Sequence, residues 1–163
     1  MAFLKLSANS VQHAWSEFCR LTWQERWLLL QAFVFLPLTA AALHLMNFQR
    51  VRLILLRFTS VPVDVCGDAA LQQARTTTRL VQAAACRIPF KITCLVRSTT
   101  LWWFLRRQGI ASEIRIGVNQ HDKEFHAHAW VEINGIVIND KADIHQQYGA
   151  FEQIILPNGS EKV

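Results

Sequence analysis

Residues 125–140 read FHAHAWVEINGIVIND. Apolar and polar residues alternate from Phe125 to Ile133, the two-residue period of a strand with one buried face. Asn134-Gly135 follows, a dipeptide that suits the positive φ angles of a two-residue hairpin turn. Ile136 to Asn139 then reads as the returning strand, with Asp140 just beyond it. On the first strand His126, His128, Trp130 and Glu132 share one side, while Ala127, Ala129 and Val131 share the other. Alternation does not choose between the two histidines. A two-residue hairpin sets Ile133 opposite Ile136 and therefore Asp140 opposite Ala129. Opposed residues share a face, so the carboxylate would point away from both imidazoles. A three-residue loop or a bulge would move the pairing by one and bring Asp140 opposite His128 or Trp130. A departure from the ideal hairpin is thus expected if Asp140 is to orient a histidine. Asp143 is the reserve orienter and Asn139 a weaker one.

Working upstream, Ile114, Ile116 and Val118 alternate with Glu113, Arg115 and Gly117, which predicts another half-buried strand. NQHDKE (119–124) reads as a polar loop, and Phe151 to Leu156 as a fourth strand. Before Gly109 the period becomes helical. In ITCLVRSTTLWWFLRRQGI (92–110) a helix begins near Cys94, with Thr93 as its N-cap. Leu95, Val96, Leu101, Trp102, Trp103, Phe104 and Leu105 surround most of it, as in a helix at a domain's centre. Arg106 and Arg107 complement its C-terminal dipole, and Gly109 is a natural stop. DAALQQARTTTRLVQAAAC (68–86) is a further helix, with Leu71, Ala74, Leu80 and Ala84 on or near one face. Helices followed by an antiparallel sheet make an α+β fold.

Residues 1–60 read as an N-terminal helical extension ahead of a domain covering 61–163, with VPVDVCGD (61–68) as the linker. Thr22 and Glu25 form a capping box. Trp27 to Met46, WLLLQAFVFLPLTAAALHLM, approaches the roughly 20 residues that cross a bilayer. It also holds Gln31, Pro37, Thr39 and His44, and arginine flanks it on both sides. It reads as a buried helix pair, or as a helix packed against a membrane or a partner protein. Pro37 is expected to kink or break it. A second helix, at about 48–58, mixes arginine with leucine.

The chain has 163 residues, of which 52% are apolar, enough for one compact domain with an appendage. Its formal charge is +5, but the arginines are dispersed rather than clustered, so a nucleic-acid footprint is not expected. The four cysteines, Cys19, Cys66, Cys86 and Cys94, form no C-x-x-C pair, and no signal peptide precedes them. Reduced thiols in the cytoplasm are the expectation. Of the four, Cys94 alone sits at the start of a helix. There the dipole and unpaired N–H groups stabilise a thiolate and can donate to an oxyanion beside the sulfur. A nucleophilic cysteine needs a base, and the base needs an orienting acceptor. Residues 125–140 supply both types. Trp102, Trp103 and Trp130 read as core residues more than as peptide clamps.

The Cys at a helix start, H-A-W-V-E on a strand and Asp beyond the next turn resemble the transglutaminase-like cysteine protease superfamily. CLVRSTTLWWFLRRQGI (94–110), IRIGV (114–118), HAWVEINGIVIND (128–140) and LTWQERWLLLQAF (21–33) resemble the stand-alone leader peptidase of lasso-peptide biosynthesis in particular. That resemblance implies a transglutaminase-like or papain-like core. It implies a cysteine peptidase that removes the leader from a ribosomally made precursor peptide. It assigns Cys94 as nucleophile, His128 as general base and Asp140 as orienter, with no metal and no cofactor. His126, Trp130 and Arg97 become candidate substrate contacts, and Ser98 a support one turn along. The implied partners are a separate winged-helix leader-recognition protein and an ATP-dependent macrolactam-forming cyclase. Three rivals stand beside this reading. One is an acyltransferase with the same triad, and one is a metal site built from His121, His126, His128 and Asp140. The third is a non-catalytic scaffold tethered to a membrane through residues 27–46.

Overall fold

Thr22 starts the first helix as the capping box predicts. Its hydroxyl accepts the Glu25 amide at 3.3 Å, and the Glu25 carboxylate accepts the Thr22 amide at 2.9 Å. Those bonds, with Arg79 nearby, hold the Glu25 carboxyl below the usual carboxylate range. The box is therefore complete at neutral pH and loosens as pH falls through that lowered value. The computed structural model describes residues 21–59, 67–121, 124–144 and 149–150. Its helices are α1 (Trp23–Leu45), α2 (Phe48–Arg57), α3 (Asp68–Arg87) and α4 (Cys94–Arg107). Its strands are β1 (Glu113–His121), β2 (Glu124–Ile133), β3 (Ile136–Val137) and β4 (Gly149–Ala150), arranged β3-β2-β1-β4 in one antiparallel sheet. The α+β expectation holds.

α4 is the middle layer. Leu101, Trp102, Trp103, Phe104 and Leu105 are all buried, because the helix packs on α1 and α3 on one side and on β1 and β2 on the other. Phe35 of α1 meets Trp103 at 4.4 Å and Phe104 at 5.8 Å between ring centroids. Ala32 and Leu36 belong to the same core cluster as Ala74, Val81, Leu101 and Val131, so α1 shares one core with the later elements. α4 stops where Gly109 predicts. Gly109 takes φ +79°, its N–H reaches Arg106 O, and Ile110 N–H reaches Leu105 O at 2.9 Å.

Two sequence expectations are corrected here. α1 runs through Pro37 as one helix, so the break allowed for there does not occur. Proline removes one helical N–H, yet Leu36 and Thr39 beside it are buried, and the Thr39 and Thr100 hydroxyls lie 3.2 Å apart. Packing on α4 outweighs the lost bond. The expected polar loop at 119–124 is largely strand: β1 and β2 stay paired from Glu113↔Glu132 to His121↔Glu124. The long ladder carries the polar residues with it. The fourth strand expected at 151–156 lies outside the described residues; β4 pairs instead with Gly117 and Val118.

Candidate active site

Thr93 is the N-cap of α4 and Cys94 its first residue. The Thr93 side chain accepts the Val96 amide at 3.3 Å, and its carbonyl accepts the Arg97 amide at 3.1 Å. The amides of Cys94 and Leu95 are then the first-turn donors that the cap does not use. No acidic residue lies in that turn, while Arg106 and Arg107 sit at the other end. No side chain of that first turn offsets the positive end of the dipole. Cys94 is a free, half-buried thiol, whereas Cys86 is free and exposed near the end of α3. Cys19 and Cys66 lie outside the described residues.

The imidazole and the carboxylate meet. His128 Nε2 lies 2.6 Å from Asp140 Oδ2, and Asp140 Oδ1 accepts the Lys141 amide at 2.8 Å. Both carboxylate oxygens are thus engaged, which fixes the plane presented to the ring. His128 faces Gly117 across the β1–β2 ladder, so no side chain from that partner crowds it. His128 is partly exposed, so its ring is open to solvent on one side. No hydrogen bond joins Cys94 Sγ to this pair among the described residues.

The route by which Asp140 arrives corrects the sequence expectation. The hairpin is the ideal two-residue one: Ile133 pairs with Ile136, and Asn134 and Gly135 take φ 50° and 78°. The departure comes at the far end. Ile138 still donates to Val131 O at 3.0 Å, but Val131 N–H turns to the side-chain Oδ1 of Asn139 at 2.7 Å. A regular ladder would give that amide the Ile138 carbonyl. The side chain replaces the backbone, the ladder ends, and Asp140 swings free of the face opposite Ala129.

Asn139 is held in turn by α4. Its Nδ2 donates to Ser98 Oγ at 3.0 Å, and Ser98 Oγ donates to Ala129 O at 2.9 Å. Ser98 is fully buried and lies one helical turn beyond Cys94. One serine therefore ties the cysteine's helix to the residue after His128 and to the residue before Asp140. Sequence reading placed Ser98 near the site but missed this junction. The signal was Ser98-Thr99-Thr100, three hydroxyls in a helix otherwise apolar on most sides. Asn139→Ala should lower stability by about 2 kcal/mol, since it strands the buried Val131 amide and takes one of the two hydrogen bonds from Ser98. Denaturant midpoints at constant slope would measure this; an unchanged midpoint contradicts it.

The remaining candidates separate. Trp130 is fully buried and its Nε1 donates to Glu132 Oε1, so its side chain is packed in the core. Its ring stacks near His128 at 6.3 Å, which backs the imidazole. Glu132, also buried, accepts Arg115 Nε at 3.3 Å, and Arg115 reaches Glu113 at 3.1 Å. That cation offsets the two carboxylates, which face each other across the ladder. Arg97 is half-buried in a shallow depression with Thr78, Val81, Gln82, Leu101 and Asn139, beside the residue that anchors Asp140. His126 pairs with Asn119 in the backbone register, and its side chain lies outside the described residues. Among the described residues no three His, Cys, Asp or Glu side chains are grouped to hold a metal ion.

Compared with known proteins, residues 35–154 match the family model described as the transglutaminase-like superfamily. That match includes Cys94, His128 and Asp140. No curated protein and no solved structure matches the chain.

Proposed function

Because this chain belongs to the transglutaminase-like superfamily, we propose that it is a cysteine peptidase that cuts the leader from a ribosomally made lasso-peptide precursor. The family supports a cysteine-protease-like or acyltransferase-like activity. The observation that carries the reading is the His128–Asp140 bond at 2.6 Å, on the strand beside the serine that anchors the Cys94 helix. The likeness of CLVRSTTLWWFLRRQGI and HAWVEINGIVIND to the lasso leader peptidase supplies the substrate class.

In this reading Asp140 holds the Nε2 proton of His128, so Nδ1 is the nitrogen that exchanges a proton with Cys94. The Cys94 thiolate attacks the scissile carbonyl. The Cys94 and Leu95 amides receive the oxyanion, at about 3 kcal/mol for each well-placed donor. The C–N bond breaks as the imidazolium protonates the leaving core amine, and leaves the leader as a thioester. Water then gives a proton to His128 and its oxygen to the carbonyl. The C–S bond breaks and the leader departs as a carboxylic acid. A separate leader-recognition protein presents the precursor, and a macrolactam-forming cyclase acts on the freed core. The reaction runs in the cytoplasm, where Cys94 stays reduced.

The test is incubation with precursor peptide, with and without the leader-binding protein, read by mass spectrometry in the presence of an added amine. Free leader and free core are the expected products. A leader–amine adduct would establish the acyltransferase instead, and intact precursor under all conditions would overturn both.

A further inference from the structure

α1 is apolar on the side that faces away from the core. Trp23, Trp27, Leu30, Val34, Leu38 and Leu45 are 80, 59, 51, 58, 56 and 80% exposed. Their spacing, with Ala41 also exposed, runs 4, 3, 4, 4, 3, 4. This is an eleven-residue repeat, which keeps a stripe straight along an α-helix for about 33 Å. The exposed positions of α1 contain no Asp, Glu, Lys or Arg. The opposite side is committed to the protein: Ala32, Leu36 and Thr39 are buried, and Glu25 pairs with Arg79 of α3 at 3.1 Å. The helix is long and apolar enough to cross a bilayer, with mean hydropathy 1.9, but crossing would strip these contacts.

α2 follows after two residues and carries the complementary charge. Arg50, Leu53, Ile54, Arg57 and Phe58 are all exposed, at i, i+3, i+4, i+7 and i+8. They form one helical face on which arginines flank apolar side chains. No acidic residue lies between Phe48 and Phe58. A coiled-coil partner is selected by paired charges of both signs along the edges of the stripe, and the exposed positions here carry none on α1 and only arginine on α2. A surface that is apolar along one helix and apolar with arginine on the next fits lipid tails beneath anionic headgroups. The exposed tryptophans at the start of α1 suit the headgroup level.

We infer that the outer faces of α1 and α2 dock the protein on an anionic membrane surface. α1 lies in the interface without spanning it, and Arg50 and Arg57 pair with lipid phosphates. α4 separates α1 from the sheet, so the His128–Asp140 side stays open to solvent. The inference holds whether or not the peptidase reading does.

The test is flotation of the full chain with vesicles of pure phosphatidylcholine or of phosphatidylcholine with phosphatidylglycerol. Binding is expected to the anionic vesicles and to fall with added salt. Arg50→Glu and Arg57→Glu should each weaken it about fivefold or more. The double variant Trp27→Ser, Leu30→Ser, altered only at exposed positions, should abolish flotation with an unchanged unfolding midpoint. Failure of the folded chain to float, equal binding to neutral vesicles, or binding that survives the double variant would each overturn the inference. So would a dimer in lipid-free solution that the double variant turns into a monomer, since a second copy would then own the stripe.

Discussion

Cys94→Ala should reduce precursor cleavage by at least about 10⁴-fold while leaving the melting temperature within a degree or two of the parent. The change removes one sulfur from the first position of α4, where alanine suits the helix as well as cysteine does. Among the described residues the side chain makes no hydrogen bond that the fold would miss, and the Thr93 cap remains. A comparable loss is not expected from Cys86→Ala, which alters an exposed thiol on α3. Cleavage of precursor with its leader-binding protein, followed by mass spectrometry, reads both variants. Full turnover in Cys94→Ala would return the chain to the non-catalytic scaffold reading.

Asp140→Asn is expected to cost about 10³- to 10⁴-fold in kcat. The substitution keeps the size of the side chain, and the amide oxygen can still accept the Lys141 N–H. The NH₂ group is then turned to His128 Nε2, where a carboxylate oxygen had been at 2.6 Å. Nε2 becomes an acceptor, the ring proton moves to Nδ1, and the nitrogen that should take the cysteine's proton already carries one. Substrate binding does not use this contact, so KM should change little beside kcat. Asp143→Asn, at an exposed neighbour outside the pair, should retain activity. Equal losses in the two variants would mean that general acidity near the site matters and that the His128–Asp140 bond does not.

Much of this molecule is written in short stretches of chain. Thr22 with Glu25, Thr93 before Cys94 and Gly109 after Gln108 mark helix ends to the residue, because caps and left-handed stops are made by neighbours. The Asn134-Gly135 turn is equally local. Distant contacts decide what such stretches leave open. Pro37 stays inside α1 because α4 supports it, and nothing within WLLLQAFVFLPLTAAALHLM announces α4. The choice between His126 and His128 could not come from alternation, since the two positions have the same parity along the strand. It came from likeness to a family, and His128 Nε2 lies 2.6 Å from Asp140. The position of the strand's irregularity was misjudged for the same reason as Pro37. A hairpin considered alone can break register only at its turn or at a bulge. Ser98, on another element, makes the break at Asn139.

Asn139 also acts as a surveyor's mark. The distance from strand to carboxylate is measured from an amide clamped to Val131 and Ser98, not counted out from the reverse turn. Asn134, Gly135 and Ile136 form an exposed tip beyond that clamp. A fluorophore, an affinity tag or a grafted loop placed there leaves the imidazole–carboxylate spacing where it was, and gives a handle on the protein beside its candidate site.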